Sequence, residues 1–128
     1  MLSKAKIYSI PVGEEYKNLK TTNDLWNFLS ANKARRNSVL INLGGGLITD
    51  LGGFAASTYK RGIPFINIPT SLLGMIDAAV GGKTGINLNN EKNHIGLFNL
   101  PQLVICDLFF LSTLPKQQFL SGYAEVIK

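Results

Sequence analysis

The chain has 128 residues and a mass of 14.0 kDa, which bounds it to about one domain, and its 45% apolar content can supply a packed core, so a disordered chain is excluded. Thirteen basic and eight acidic side chains leave a net charge of +5. The longest stretch free of ionisable residues, Ile63 to Ile76, is interrupted by Pro64 and Pro69 and falls short of the roughly 18 apolar residues a membrane span needs.

Met1 to Lys17 contains no signal-peptide core, and the single Cys106 cannot form an internal disulfide, so a reducing, cytoplasmic setting is expected. The positive charge raises the question of nucleic acid. Lys33, Arg35 and Arg36 form the one dense basic cluster, at the expected end of a helix, where cations favour the negative end of the dipole. The other cations are scattered without interleaved aromatics, the wrong texture for stacking bases. The expected partners are anionic small molecules, with no nucleic acid and no membrane.

In chain order, Ile7 to Ile10 reads as a weak strand. Thr21, Thr22 and Asn23 are capping candidates for a helix whose Leu25, Phe28 and Leu29 share one face. Val39-Leu40-Ile41, Phe65 to Ile68 and Leu103 to Cys106 are short, nearly continuous apolar runs, the pattern of strands buried on both faces of a parallel sheet. Between the first two, Leu47, Leu51, Phe54, Ala55 and Thr58 share a helical face. Pro115 marks the start of a last helix, whose apolar face of Phe119, Leu120, Tyr123, Ala124 and Ile127 runs to Lys128 without a Gly or Asn cap, so it is expected to be truncated. The fold expected is α/β: a Rossmann-like parallel sheet with crossover helices, whose ligands sit at the carboxyl ends of the strands.

Gly44-Gly45-Gly46 lies between a strand and a helix that includes Asp50. It either cradles an anion on the helix amides or is a steric turn, and Thr49 occupies the place of the third Gly of a G-x-G-x-x-G fingerprint. Thr70 and Ser71 follow a strand and read as a helix cap or as cofactor partners. From Asp77 to Asn87, a carboxylate, a glycine pair and Lys83 fall within seven positions; this is not a Walker A loop, because Asp77 stands where its first Gly belongs. The reading is a loop, with Lys83 and, further on, Lys92 and Asn93 placed to meet a phosphate or carboxylate, or else solvated. His94, the lone histidine, is most simply structural, Cys106 a small buried hydrophobe, and Trp26 and Tyr59 packing residues. Glu125 and Lys128, at i and i+3, form a surface ion pair by default.

Taken together, these blocks resemble the 3-dehydroquinate synthases. The match runs from about Ser9 to Lys128 through Gly13 to Lys17, Gly44 to Asp50, Tyr59 to Gly62, Pro69 to Leu73, Asp77 to Asn87, Lys92-Asn93 and Ala124 to Lys128, in order and without evident gaps. The resemblance implies a cytosolic enzyme that uses bound NAD and a divalent metal, zinc or cobalt. It would convert 3-deoxy-arabino-heptulosonate 7-phosphate, a phosphorylated seven-carbon sugar acid, to 3-dehydroquinate and phosphate on the shikimate route to aromatic amino acids.

By the same resemblance, Glu14, Glu15, Lys17, Gly45, Gly46 and Asp50 face the adenosine and ribose side of NAD. Thr70 and Ser71 form its next wall, and Phe110 to Thr113 another. Asp77, Lys83, Lys92, Asn93 and Lys128 face nicotinamide and substrate. Arg61 reaches the neighbouring subunit's substrate phosphate, which implies a homodimer, and Glu125 is the first metal ligand, with two histidines absent from this chain. Val12, Thr49 and Glu91 depart from the family's usual Asp, Gly and Gly. The resemblance implies that residues 1–113 are a partial NAD-binding α/β domain and 114–128 the first helix of a truncated metal- and substrate-binding helical domain, and the expectation is a fragment inactive by itself. Cyclases of the inosose or valiolone type and a non-catalytic nucleotide-binding module are the competing readings.

Overall fold

The computed structural model describes residues 4–128. Three parallel strands, β1 (Leu40–Gly44), β2 (Phe65–Pro69) and β5 (Leu103–Val104), form a sheet in the order β1-β2-β5, and helices α1 (Leu19–Ala31), α2 (Gly46–Thr58) and α3 (Lys116–Ile127) accompany it. This is the α/β arrangement the apolar runs predict. A second, antiparallel sheet comprises β3 (Lys83–Leu88) and β4 (Glu91–Phe98), and it is the main departure. The segment expected as a loop instead enters a short π-helical turn, Gly74–Ala78, and then becomes a strand. The hairpin closes on Asn89 and Asn90, at φ 48° and 66°, the two consecutive left-handed residues that a tight turn matched to strand twist requires.

Leu25 and Leu29 of α1 and Leu51, Phe54, Ala55 and Ala56 of α2 pack with Ile63, Phe65 and Ile86 to form the core. Burying each of the larger side chains is worth about 1.5–3 kcal/mol. Trp26 packs on Phe54 with ring centroids 6.4 Å apart and donates its indole N–H to the Ala55 carbonyl at 3.1 Å, a packing role, as expected. Gly52 and Gly53 cost helix propensity within α2 but permit its close approach to its neighbours. A Cβ on Gly53 would lie 2.7 Å from Thr84 Cγ2, so β3 can sit directly against the helix; one on Gly52 would collide with the Asn42 amide beneath it.

Four local expectations are corrected. Ile7 to Ile10 forms no strand: Ile7 is 83% exposed, and Tyr8 instead packs on Phe28 of α1. Helix α1 is capped by Asn18, whose side chain accepts from the Thr21 amide, so Thr21, Thr22 and Asn23 lie inside it. β5 is two residues long, which leaves Cys106 outside the ladder and exposed. The parallel sheet is covered by α2 on one face, while Ile41 and Leu43 of β1 remain 40% and 56% exposed.

Candidate functional site

The carboxyl edge of the parallel sheet carries three of the predicted segments. Gly45 and Gly46 follow β1, Thr70 and Ser71 follow β2, and Phe110 and Thr113 lie on the 3-10 helix Leu108–Thr113 after β5. The Thr70 amide donates to the Gly44 carbonyl at 2.9 Å, and Ser71 Oγ accepts from the Gly74 amide at 3.1 Å, so the hydroxyl caps the following turn. A Cβ on Gly46 would lie 3.4 Å from that of Ala78, so the start of α2 and the π-helical turn are close neighbours. No side chain caps α2, and its first amides remain open to an anion.

Beside this edge lie two clefts. The first, of about 440 Å³, is lined by Asp50, Asp77, Lys83, Asn93 and His94, with Leu97 and Phe98 on its apolar side. The second, of about 370 Å³, is lined by Glu14, Glu15, Lys17, Asn87 and Lys92, among others. A buried polar node bridges the linings of the two. Lys17, whose side chain is only 5% exposed, donates from Nζ to Asp50 Oδ2 and to Asn93 Oδ1, each at 2.6 Å. Three residues far apart in sequence thus meet at one ammonium. Nothing in the sequence marks Lys17 as buried; the contact exists because the segment before α1 lies across α2 and the hairpin.

Burial raises the Asp50 carboxyl above its ordinary value, outweighing the opposing hydrogen bond and charge of Lys17; the charges of Asp77 and Glu14 push in the same direction as burial. The other predicted residues are less concentrated. Lys83 borders the first cleft and Lys92 the second, near opposite ends of the hairpin, so the two lysines do not converge as expected from their loop reading. Arg61 lies past the carboxyl end of α2, roughly 18 Å along the helix from Gly46, and is remote from both clefts. Glu125 of α3 and Lys128 at its carboxyl cap lie 3.9 Å from one another and line neither cleft. Among the described residues no cluster of three His, Cys, Asp or Glu side chains is placed to hold a metal.

Sequence reasoning missed Asn42 and Asn67, adjacent in register on β1 and β2 and both buried, and it gave no separate role to Asn87, which ties the clefts together through Glu14 and Asn93. A buried amide next to another amide across a sheet is invisible before strand register is known. His94 borders the first cleft, where its Nδ1 lies 2.9 Å from Glu91 Oε2.

The family model for the N-terminal part of 3-dehydroquinate synthase matches residues 7–121. A 3-dehydroquinate synthase of Campylobacter jejuni (strain RM1221) is 54% identical over the whole chain, which spans 38% of that relative's length. Among solved structures, 2-epi-5-epi-valiolone synthase from Streptomyces hygroscopicus subsp. jinggangensis, with NAD+ and Zn2+ bound, superposes with a TM-score of 0.88 at 37% identity. The alignment covers 91% of this chain and 33% of that one. A 2-deoxy-scyllo-inosose synthase complexed with carbaglucose-6-phosphate, NAD+ and Co2+ gives 0.86 at 35%, covering 91% and 32%. With the family model spanning most of its length and the same fold in these cyclases, the chain belongs to the 3-dehydroquinate synthase family, of which it matches the N-terminal part.

Proposed function

We propose that this chain is the dinucleotide-binding part of a 3-dehydroquinate synthase, an enzyme that converts 3-deoxy-arabino-heptulosonate 7-phosphate to 3-dehydroquinate and phosphate. The observation that carries the reading is the first cleft, where Asp50, Asp77, Lys83 and Asn93 meet beside the uncapped start of α2. The 54% identity to a 3-dehydroquinate synthase, against 37% and 35% to the valiolone and inosose synthases, favours that substrate over theirs.

The residues present fit NAD. The open amides at Gly46 suit a pyrophosphate, the carboxylates of Glu14 and Glu15 suit ribose hydroxyls, and Thr70, Ser71, Phe110 and Thr113 stand along the same sheet edge. When bound, NAD supplies a hydride acceptor for a substrate hydroxyl and returns the hydride later in the cycle. The protein's part is to orient: Asp77 and Lys83 flank the reacting end, while Lys83 and Lys92 offer cations to phosphate and carboxylate. Arg61, exposed past the carboxyl end of α2 and in the lining of neither cleft, is available to a second subunit in a homodimer. Lys128, directly after α3, would meet substrate only when the rest of the protein folds over it.

A metal does not fit this chain by itself. Among the described residues Glu125 stands without the further ligands a catalytic zinc site needs, and the sequence holds one histidine, His94, instead of the two further ones the resemblance implies, so no step is derived through a metal. The expected outcome is that the chain supplied with NAD+, Zn2+ and substrate releases no phosphate. Turnover in that assay would overturn the proposed dependence on the remaining part of the enzyme.

A further inference from the structure

Asn42 of β1 and Asn67 of β2 stand opposite one another in register, each 3% exposed, where two apolar side chains would ordinarily pack. Buried amides are costly unless their polar groups are matched, and these two are matched in one sense only. The Ala79 carbonyl can only accept, so Asn67 turns Nδ2 to it, at 3.2 Å, and its own Oδ1 takes the Asn42 amino group. Helix α2 makes room for the pair at Gly52, where a side chain would strike the Asn42 amide.

Ala79 is the residue that closes the π-helical turn. Its N–H donates at 2.9 Å to the carbonyl of Gly74, five residues back, whereas an α-helical turn would close on Ala78. Fully buried, Ala79 is held at its N–H by Gly74 and at its carbonyl by Asn67. Asp77 lies within the turn closed in this way, and Asp77 and Ala78 line the first cleft. The direction in which Asp77 leaves the backbone therefore depends on closure five residues on instead of four.

We infer that Asn67, oriented by Asn42, is a positioning residue for Asp77: its bond to Ala79 selects the π-helical closure and so sets the carboxylate at the first cleft. This rests on the reading of Asp77 as a group that faces the cofactor. Asn67 lines neither cleft, so it acts through the turn and not by touching a ligand.

The test uses the 128-residue chain, with hydrogen exchange and NAD+ binding as separate readouts. In the wild type the Ala79 amide is expected to exchange as slowly as the core amides of β2; exchange as fast as that of an open loop would overturn the closure. Asp77→Asn and Asn67→Leu should each weaken NAD+ binding about tenfold, the loss of one hydrogen bond, and the two together should weaken it no further. Asn67→Leu strands the Asn42 amino group, so the apolar pair Asn42→Leu with Asn67→Leu is the companion variant. It should be more stable than Asn67→Leu alone while its NAD+ binding stays weakened and its Ala79 amide loses protection. Binding that recovers along with stability, or losses that add to those of Asp77→Asn, would overturn the positioning role. A wild-type chain that binds no NAD+ would count against the dinucleotide reading, and Ala79 exchange in the wild type and the apolar pair would still decide whether Asn67 holds the turn.

Discussion

Asn42 donates from Nδ2 to Asn67 Oδ1 at 2.9 Å within the buried layer between the parallel sheet and α2, and Asn67 passes its own Nδ2 to the Ala79 carbonyl at 3.2 Å. The pair joins β1 and β2 side by side and anchors the end of the π-helical turn that carries Asp77. Asn67→Leu preserves approximate size but strands the Asn42 amino group and the Ala79 carbonyl. Two unpaired buried groups are expected to cost about 2–4 kcal/mol in chemical denaturation. A loss below about 1 kcal/mol would mean the turn is held by other contacts.

The Asp50 carboxyl offers a pH prediction with a definite sign. Its folded value is raised above 3.8, chiefly by burial, so the native state holds this proton more tightly than the unfolded chain does. The contribution of this group to stability is present below the unfolded value and is lost as pH rises through the raised folded value. Side-chain 13C titration should place the Asp50 midpoint above 3.8, and Asp50→Asn should flatten the fall of stability across that interval. A midpoint below 3.8 would show that the Lys17 ion pair outweighs burial.

Gly122 is the buried residue of α3, and a Cβ there would approach Leu72 Cβ and the Leu73 amide nitrogen to 2.8 Å each. Gly122→Val should therefore lift α3 from the Leu72–Leu73 segment at a cost of about 1–3 kcal/mol, the range for overpacking. Hydrogen exchange read on α3 is the suitable probe. Unaltered protection there would contradict the contact.

His94 Nδ1 lies 2.9 Å from Glu91 Oε2, with both side chains more than half exposed, 54% for His94 and 63% for Glu91. Exposed polar contacts of this kind are worth little, so Glu91→Gln should change stability by less than about 1 kcal/mol. Glu91 is then a surface feature of the hairpin, and a larger change in the denaturation midpoint would assign it a structural role.

Much of the architecture is legible before folding because β1 and β2 are continuous apolar runs and α2 keeps its apolar spacing, while Pro115 marks the start of α3. The hairpin is not, because its turn is Asn89-Asn90 instead of the stronger Asn-Gly signal, and because glycines at 81, 82 and 85 disguise β3 as a loop. Candidate residues after strand ends were placeable from the α/β pattern. The fate of each charge was not: Lys17 is buried against Asp50, Lys83 and Lys92 separate into different clefts, and Arg61 lines neither, all outcomes of tertiary contacts that spacing does not encode.

The sheet edge and the first cleft together form the proposed dinucleotide-binding surface of this chain. Titration of the isotopically labelled chain with NAD+, followed by backbone NMR, tests it most directly. Saturable shifts concentrated at Gly45, Gly46, Asp50, Asp77, Lys83 and Asn93 are the predicted result; shifts absent there, or confined to the far end of α2 around Arg61, would contradict it.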